Sequence, residues 1–333
     1  MKENQYIYQC PVSLKPLKLK IQEKKGDDVI VGELLASNGM KYKIQDGVAD
    51  FIYPPNLQGI QKQQQEYYDN AANSYDDVAN LTFDIQKQDE RKVRISLIEL
   101  LKLKKNSKVL EISCGTGRDS INIAGKLGRA GEFFVQDLSR KMLLQCRRKL
   151  ISAKVPVEYS LGNACYLPFP DGYFDAVFSF GGLSVFGDIK KALKEMARVT
   201  KLGGKVVAGD ESLAPWLYDS EFGKILLNNN PLFKSKIPFE SIPIEARDVA
   251  ARWILNGVYY VLEFMVGEGE PKGNFDLKIP GVRGGTLNTR YHGRLEGVDP
   301  QIKELVLKAV KKSKKSQHDW LNAALKKAAQ KEL

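Results

Sequence analysis

The sequence predicts an α/β protein with a doubly wound, mostly parallel sheet. Short apolar runs alternate with segments of helical period between residues 108 and 210, which is typical of parallel strands joined by crossover helices. The first of these runs, 108–113, leads directly into a glycine turn and a helix. In such sheets the ligand crevice lies beyond the carboxyl ends of the strands. We therefore expect the functional site at the turn that follows residue 113.

A small β-rich leader, residues 1–55, precedes this sheet, and a linker rich in proline and glycine separates the two. The main domain is predicted over residues 60–300. Its first elements are helices at 61–79 and 89–104, a strand at 108–113, a helix at 118–128, a strand at 131–137 and a helix at 139–152. They are followed by a strand at 155–160, a fourth strand that ends before Phe180, a helix at 186–201 and a strand at 204–210.

After residue 210 the alternation of strands and helices stops. Aromatic residues and prolines in 211–250 predict an inserted cap of short helices and loops. Two further strands are predicted at 252–266 and 285–296, joined by a long connection rich in glycine and proline. The C-terminal segment, 301–333, is predicted to form lysine-rich helices.

Net charge is +11, and residues 301–333 hold nine lysines against three acids, so that segment carries 9 − 3 = +6 of it. A lysine-rich helix usually has a solvated face, but the charge keeps RNA open as a partner. The four cysteines are scattered, with no disulfide or metal spacing. The start lacks an apolar signal segment, and no run is long enough to cross a bilayer. These features predict a cytoplasmic protein without a transmembrane segment.

Two glycines and one acid predict a cofactor cradle. Gly115 and Gly117 let the backbone turn sharply and approach a ligand closely. Asp137 ends the next predicted strand, about twenty positions later, where such sheets place the acid that accepts hydrogen bonds from a ribose diol. A dinucleotide fingerprint would prefer a third glycine at Ser120.

Four motifs in order resemble the class I S-adenosylmethionine-dependent methyltransferases, closest to those acting on quinones and other small molecules. They are E-I-S-C-G-T-G at 111–117, V-Q-D-L-S-R-K-M-L at 135–143, G-N-A-C-Y-L-P-F-P-D-G-Y-F-D-A-V-F-S at 162–179 and E-M-A-R-V-T-K-L-G-G-K-V-V at 195–207. The resemblance implies S-adenosyl-L-methionine as cofactor. It also implies a seven-stranded sheet with a terminal antiparallel strand.

The resemblance assigns the cofactor-binding residues by the part of the cofactor that each would contact. Asp137 would bind the ribose hydroxyls, and an aromatic residue after the fourth strand would lie near the sulfonium. The full set is Glu111, Ser113, Gly115, Thr116 and Gly117 toward the methionine part, Asp137 at the ribose, Leu138, Met142, Asn163 and Ala164 around the adenine, and Phe180 near the sulfonium. Tyr75 would contact the cofactor from the element that closes over it, or would equally pin an amphipathic helix to the core.

No catalytic residue is assigned from the sequence, but four residues are candidates for the acceptor side. Tyr68 belongs to Y-D-N-A-A-N-S-Y-D at 68–76, similar to a family element that closes over cofactor and acceptor. Asp210 and Glu211 follow the fifth strand and could act as a base, or equally as a helix cap and a solvated acid. Arg283 lies in a candidate lid. His292 is expected in a strand, away from the crevice.

The leader resembles the zinc ribbons that precede some methyltransferases, including ribosomal-RNA guanine methyltransferases. Cys10 is the one ligand that matches, because the other positions hold Ser13, Leu35 and Asn38. A tetrahedral zinc site needs four ligands. We therefore expect a metal-free leader.

Three functions remain open from the sequence. The first is methylation of a small or lipid-like acceptor, since the aromatic residues of 211–250 could close an apolar pocket. The second is methylation of an RNA base, suggested by the leader and the basic charge. The third is a binding protein that keeps the cofactor fold without turnover. The oligomeric state is unknown.

Overall fold

A computed structural model describes residues 1, 7–293 and 298–333. The chain forms two compact units, Met1–Glu270 and Pro271–Leu333. The leader therefore belongs to the same unit as the main sheet, and the second unit begins at Pro271 rather than at residue 301. Within the described residues, no helix has the length and apolar character needed to span a bilayer.

The strands are β1 (Lys18–Lys25), β2 (Asp28–Leu35), β3 (Lys41–Gln45), β4 (Val48–Phe51), β5 (Lys108–Ile112), β6 (Glu132–Asp137), β7 (Val157–Gly162), β8 (Phe174–Phe180), β9 (Thr200–Glu211), β10 (Ala246–Ile254) and β11 (Tyr259–Val266). The helices are α1 (Gly59–Ala71), α2 (Tyr75–Ala79), α3 (Leu81–Ile85), α4 (Glu90–Glu99), α5 (Ser120–Lys126), α6 (Arg140–Lys149), α7 (Ile189–Val199), α8 (Glu221–Asn229), α9 (Leu287–His292), α10 (Pro300–Ser313) and α11 (Gln317–Glu332).

All the strands of the first unit form one sheet, with the order β1-β2-β3-β4-β7-β6-β5-β8-β9-β11-β10 among the described residues. The five central strands from β7 to β9 are parallel, whereas β11 is antiparallel to both of its neighbours. The strand order reverses at β5, because β6 lies on one side of it and β8 on the other. The expected α/β sheet is therefore present, but it is mixed rather than mostly parallel: among the described strands, five pairings are parallel and five are antiparallel.

The central strands are buried on both faces because helices cover each side. Along β5, Val109 packs in a core cluster with residues of α4, α5 and α6, whereas Leu110 and Ile112 pack in a second cluster with α7 and the leader. This burial on both faces explains why apolar residues occupy adjacent positions of the strand rather than alternate ones. The same two layers fix the position of the turn after β5.

The leader is a structural part of the sheet. Its strand β4 pairs in parallel with β7, with Phe51 opposite Gly162, and Tyr8 packs its ring at 4.7 Å from Phe51 and 6.4 Å from Phe134. The leader was expected to have a small core of its own in addition to its packing on the main domain. Instead, its buried core residues belong to the two core clusters of the main sheet, Val48 to the cluster that contains Val109 and the others to the cluster that contains Leu110.

Two strand predictions were wrong. The segment 252–266, predicted as one strand, contains a reversal: Leu255, Asn256 and Gly257 all have positive φ, and β10 turns there into β11. The segment 285–296, predicted as the last strand, contains helix α9, whose first turn is closed by a capping box between Thr286 and Thr289. The predicted residues 294–296 lie outside the described residues. The antiparallel strand that was expected exists, but it is β11.

Candidate functional site

A cleft of about 930 Å³, a volume that includes open solvent at its mouth, lies beyond the carboxyl ends of β5, β6 and β8. This is the edge at which the strand order reverses, where ligands bind in sheets of this kind. Residues from α1, α2 and α4 cover it. Its lining comprises Gln61, Gln64, Gln65, Tyr68, Tyr75, Arg94, Ile112, Ser113, Cys114, Gly115, Thr116, Arg118, Asp119, Asp137, Leu138, Ser139, Met142, Gly162, Asn163, Ala164, Phe180, Gly181, Gly182, Val185 and Phe186.

The turn after β5 brings backbone atoms to the cleft. Ser113 and Gly115 both have left-handed backbone conformations, with φ of 57° and 52°. A Cβ added to Gly115 would meet no heavy atom within 4 Å, so the space beside its backbone is open. Gly117 has a different task, because a Cβ there would lie 2.9 Å from the Cys146 sulfur of α6. One glycine therefore leaves room for a ligand, and the other permits close helix packing.

The carboxylate of Asp137 connects the end of β6 to this turn. Its Oδ2 accepts a hydrogen bond from the Gly115 N–H at 2.8 Å, and its Oδ1 accepts one from the Ser139 N–H at 2.8 Å. Burial raises the pKa of Asp137 to about 6, although the two N–H groups oppose the shift. Each oxygen retains a lone pair, so the carboxylate can also accept hydrogen bonds from hydroxyls in the cleft.

Helices α1 and α2 supply the cover of the cleft. Tyr68 and Tyr75 both line it, and their rings pack edge to face with centroids 6.0 Å apart. Burial raises the pKa of both phenols, so both are neutral near pH 7. Gln65 Nε2 donates a hydrogen bond to the Leu138 carbonyl at 3.0 Å, which joins α1 to the loop after β6.

Asp76 of α2 joins the cover to the glycine turn. Its carboxylate accepts hydrogen bonds from Thr116 Oγ1 at 2.7 Å and from Arg118 Nη1 at 3.2 Å, and it forms an ion pair with Lys149 of α6. Burial alone would raise the pKa of Asp76, but these donors lower it below its usual value. The carboxylate is therefore charged at neutral pH, and the contacts persist there.

Arg94 was not predicted from the sequence. Its guanidinium lines the cleft, forms ion pairs with Glu90 and Asp119, and lies 5.9 Å from the centroid of the Phe180 ring. Burial would lower the pKa of Arg94, but the charge of Asp119 and the contact with Glu90 outweigh it and raise the pKa. No motif marks this residue, because it reaches the cleft from a helix that precedes β5 by several residues.

Most of the predicted cofactor residues meet in the cleft. Among them, Glu111 and Gly117 are not part of the lining. Glu111 is buried beneath the turn, where its Oε2 accepts a hydrogen bond from Ser120 Oγ at 2.6 Å, and burial raises its pKa. Those that line the cleft are Tyr75, Ser113, Gly115, Thr116, Asp137, Leu138, Met142, Asn163, Ala164 and Phe180.

Asn163 lines the cleft, and both polar atoms of its side-chain amide already form hydrogen bonds within the protein. Its Oδ1 accepts hydrogen bonds from Gln61 Nε2 at 3.1 Å and from the Cys165 N–H at 3.0 Å. Its Nδ2 donates to the Tyr53 carbonyl at 2.9 Å. Gln61 therefore lies at the position from which an adenine amino group was expected to donate, and it would have to move for that contact.

Of the four acceptor-side candidates, only Tyr68 lines the cleft. Asp210 is buried behind its wall, where its carboxylate accepts hydrogen bonds from the Ser184 N–H at 2.5 Å and the Glu211 N–H at 2.7 Å. Burial raises the pKa of Asp210 to about 6. Glu211 accepts hydrogen bonds from Tyr259 and Asn230, both at 2.7 Å. Arg283 belongs to the second unit.

His292 is the last residue of α9 in the second unit, and its side chain is exposed. The expectation that it lies in a strand was therefore wrong. In the leader, Cys10 is buried, and its sulfur lies 3.2 Å from the Tyr42 hydroxyl and accepts from the Ser13 N–H at 3.4 Å. Across the described part of the chain, no group of three or more histidine, cysteine or acidic side chains could hold a metal ion.

The part of the chain that forms the cleft matches a known family. Residues 58–216 match the ubiE/COQ5 methyltransferase family, and this range contains every residue that lines the cleft. The segment is thus similar to S-adenosylmethionine-dependent methyltransferases. The leader and the chain after residue 216 lie outside the match.

Two curated relatives are similar over the same region. The ubiquinone/menaquinone biosynthesis C-methyltransferase UbiE of Chromobacterium violaceum is 38% identical over 143 residues, which are 43% of this chain and 54% of that protein. The demethylmenaquinone methyltransferase of Bacillus licheniformis is 34% identical over 153 residues, which are 46% of this chain and 66% of that protein. The chain thus spans between about half and two thirds of the length of these relatives.

Solved structures with a similar fold have low sequence identity. Phosphoethanolamine N-methyltransferase 2 of Haemonchus contortus, in complex with S-adenosyl-L-methionine, has a TM-score of 0.48 at 14% identity, covering 69% of this chain and 63% of that one. A SAM-dependent methyltransferase from Aquifex aeolicus has a TM-score of 0.39 at 18% identity, covering 54% of this chain and 94% of that one.

Proposed function

We propose that this protein is an S-adenosylmethionine-dependent methyltransferase that methylates a quinone-like small molecule. The observation that supports this most is the position of Asp137, whose carboxylate lies against the open backbone of Gly115 in a cleft at the strand switch point. A carboxylate beside an unobstructed glycine turn suits a ligand that carries a ribose and an amino-acid tail. Residues 58–216 also match a methyltransferase family.

The residues present fit this cofactor. The open space beside Gly115 and the neighbouring Thr116 would receive the methionine part, and the free lone pairs of Asp137 would accept from the two ribose hydroxyls. Leu138 and Met142 would cover the adenine with apolar surface. When bound, S-adenosylmethionine would supply a methyl carbon activated by positive sulfur, and its transfer would leave S-adenosylhomocysteine and release one proton from the acceptor to solvent.

The chain's own contribution would be alignment and exclusion of water. Tyr68, Tyr75 and Phe186 provide aromatic walls. Gly181 leaves open space beside its backbone, whereas Gly182 packs closely against Ser113. A flat aromatic acceptor suits such walls, because rings pack favourably edge to face or offset. The phenol of Tyr68, kept neutral by burial, can donate a hydrogen bond to an acceptor oxygen.

We propose that Asp210 acts as a positioning residue. Both of its oxygens are used by backbone N–H groups, and Ser184, one of these donors, lies in the wall segment between Gly182 and Phe186. The carboxylate would hold this segment in place for the acceptor. It is not among the residues that line the cleft, so direct proton removal from the acceptor is not its proposed role.

A methyl-transfer assay tests this function. The full chain is incubated with S-adenosylmethionine labelled in its methyl group and a reduced naphthoquinone that has an unsubstituted ring carbon. Phosphoethanolamine and total RNA serve as alternative acceptors. We expect label in the extracted quinone. Label in RNA alone would favour the RNA methyltransferase alternative, and label in none of the acceptors would contradict the proposed acceptor class.

A further inference from the structure

We propose that helix α10 is a docking surface for anionic lipid bilayers, a role beyond the proposed activity and independent of it. The helix carries both apolar and cationic side chains on one exposed face. Ile302, Leu305, Lys308 and Lys312 follow one another at intervals of three or four residues, which places them side by side along the helix. All four are exposed.

The apolar end of this face is open to solvent. Ile302 is 49% exposed and Leu305 is 60% exposed. Farther along the same helix Val310 is 2% exposed, so that side of the helix is buried. The helix is therefore held by its inner face, and its outer apolar residues remain available to a partner.

The net positive charge of the segment that contains α10 favours an anionic partner. Residues 301–333 carry nine lysines and three acids, a net 9 − 3 = +6. Lysines beside apolar residues on one helix are typical of helices that lie in the headgroup region, where the apolar side chains enter the acyl boundary and the lysines reach lipid phosphates. A second copy of this helix would instead bring like charges together.

RNA fits this surface less well. Phosphate contacts would use the lysines, but exposed Ile302 and Leu305 gain nothing from a nucleic-acid backbone. Binding of single-stranded bases depends on stacking against aromatic side chains, and the sequence of α10, P-Q-I-K-E-L-V-L-K-A-V-K-K-S, contains none. A bilayer uses both kinds of side chain that the helix exposes.

Cosedimentation of the full chain with vesicles tests the proposal. Vesicles of phosphatidylcholine alone are compared with vesicles that also contain phosphatidylglycerol. We expect binding to the anionic vesicles, weakened by salt, and little binding to the neutral ones. Leu305→Glu should weaken binding at least roughly tenfold because it removes apolar burial and adds repulsion. The double variant Lys308→Glu/Lys312→Glu should weaken it by at least about fivefold per lysine.

Matched variants elsewhere serve as controls. Lys190→Glu/Lys194→Glu makes the same change at the same spacing on α7, where both lysines are exposed, and Leu202→Glu changes a leucine that is 70% exposed at the start of β9. Both should bind vesicles like the wild type. Circular dichroism checks that every variant is folded.

Three outcomes would overturn the proposal. The wild type could fail to bind anionic vesicles, or the α10 variants could bind like their controls. In the third outcome, the lysine changes would reduce vesicle binding but Leu305→Glu would not, and an RNA oligonucleotide would displace the vesicles. The surface would then be a nucleic-acid site.

Discussion

Thr116 in the glycine turn donates a hydrogen bond to Asp76 in helix α2 at a distance of 2.7 Å. This contact joins the floor of the cleft to its cover, and Arg118 of the same turn and Lys149 of α6 strengthen it. Charged side chains therefore hold helix α2, part of the cover, against the glycine turn. A ligand that enters the cleft must fit beneath this connection or break it temporarily.

Changing Asp76 should loosen the cover. Asp76→Asn removes the charge that Lys149 and Arg118 contact, so we expect S-adenosylmethionine to bind roughly fivefold more weakly, the equivalent of about 1 kcal/mol. Asp77→Asn is the control, because Asp77 is the next residue and is exposed. Calorimetry measures the affinity of both variants for S-adenosylmethionine. Equal affinities would argue that the contact between α2 and the glycine turn does not affect cofactor binding.

The two glycines of the turn should respond differently to the same substitution. Gly117→Ala places a methyl group against Cys146 at a φ of 86°, so we expect a loss of about 2–4 kcal/mol in the free energy of unfolding. Gly115→Ala meets no neighbouring atom and should cost about 1 kcal/mol, from its positive φ alone. Its methyl group should instead lower cofactor affinity.

Urea unfolding and calorimetry on both glycine variants separate the two effects. The reverse pattern, in which Gly115→Ala unfolds easily and Gly117→Ala binds poorly but remains stable, would show that the two roles are interchanged.

Arg94 should matter for stability as well as for the cleft. Arg94→Met leaves the buried Asp119 without its cation, whereas Glu90 keeps its ion pair with Arg118. Breaking a buried ion pair costs about 3–5 kcal/mol. Arg91→Met, at an exposed position on the same helix, should be nearly neutral. Thermal unfolding of both variants tests this. A midpoint for Arg94→Met equal to that of Arg91→Met would mean that the ion pairs contribute little.

Cofactor affinity should depend on pH through Asp137. Burial raises its pKa to about 6, so the carboxylate is charged above that pH and neutral below it. Hydroxyl donors prefer the charged form, and affinity should therefore rise with pH up to about 6 and then level off, falling by at most about tenfold for each unit below.

Asp210 offers a control for the same pH profile. Its pKa is also raised to about 6, but its carboxylate lies behind the cleft wall. The cofactor-affinity profile of Asp210→Asn should keep its shape, whereas that of Asp137→Asn should become flat. Titrations from about pH 5 to about pH 8 distinguish the two acids, and a flat profile for Asp210→Asn with an unchanged one for Asp137→Asn would reverse the assignment.

Local patterns predicted the central elements well because those elements depend on local chemistry. The apolar run of β5, the glycines after it and the acid that ends β6 are each readable within a few residues. The hairpin of β10 and β11 was missed because Asn256 and Gly257 lie inside an apolar run that resembles one long strand. Helix α9 was missed because its residues Thr286 and Thr289 favour strands as readily as a capping box.

Long-range contacts could not be predicted from the sequence. The leader joins the main sheet through the parallel pairing of Phe51 with Gly162, which no local pattern indicates. Arg94 and Gln61 reach the cleft from helices that precede the motif segment. Glu111 seemed suited to the cofactor because it ends the first strand beside the turn, yet the structure buries it against Ser120. Packing between elements, rather than any local pattern, decides where these residues lie.

The central claim is that Asp137 and the turn at Gly115 bind S-adenosylmethionine, and calorimetry of Asp137→Asn tests it most directly. Both carboxylate oxygens of Asp137 accept a hydrogen bond from a backbone N–H, but an asparagine side chain has only one acceptor oxygen. Its NH2 group would therefore face a backbone N–H, and two donors cannot bond to each other. We predict that the wild type and the exposed control Asp171→Asn bind the cofactor equally and that Asp137→Asn binds at least roughly tenfold more weakly. No binding by the wild type, or equal binding by all three proteins, would contradict the claim.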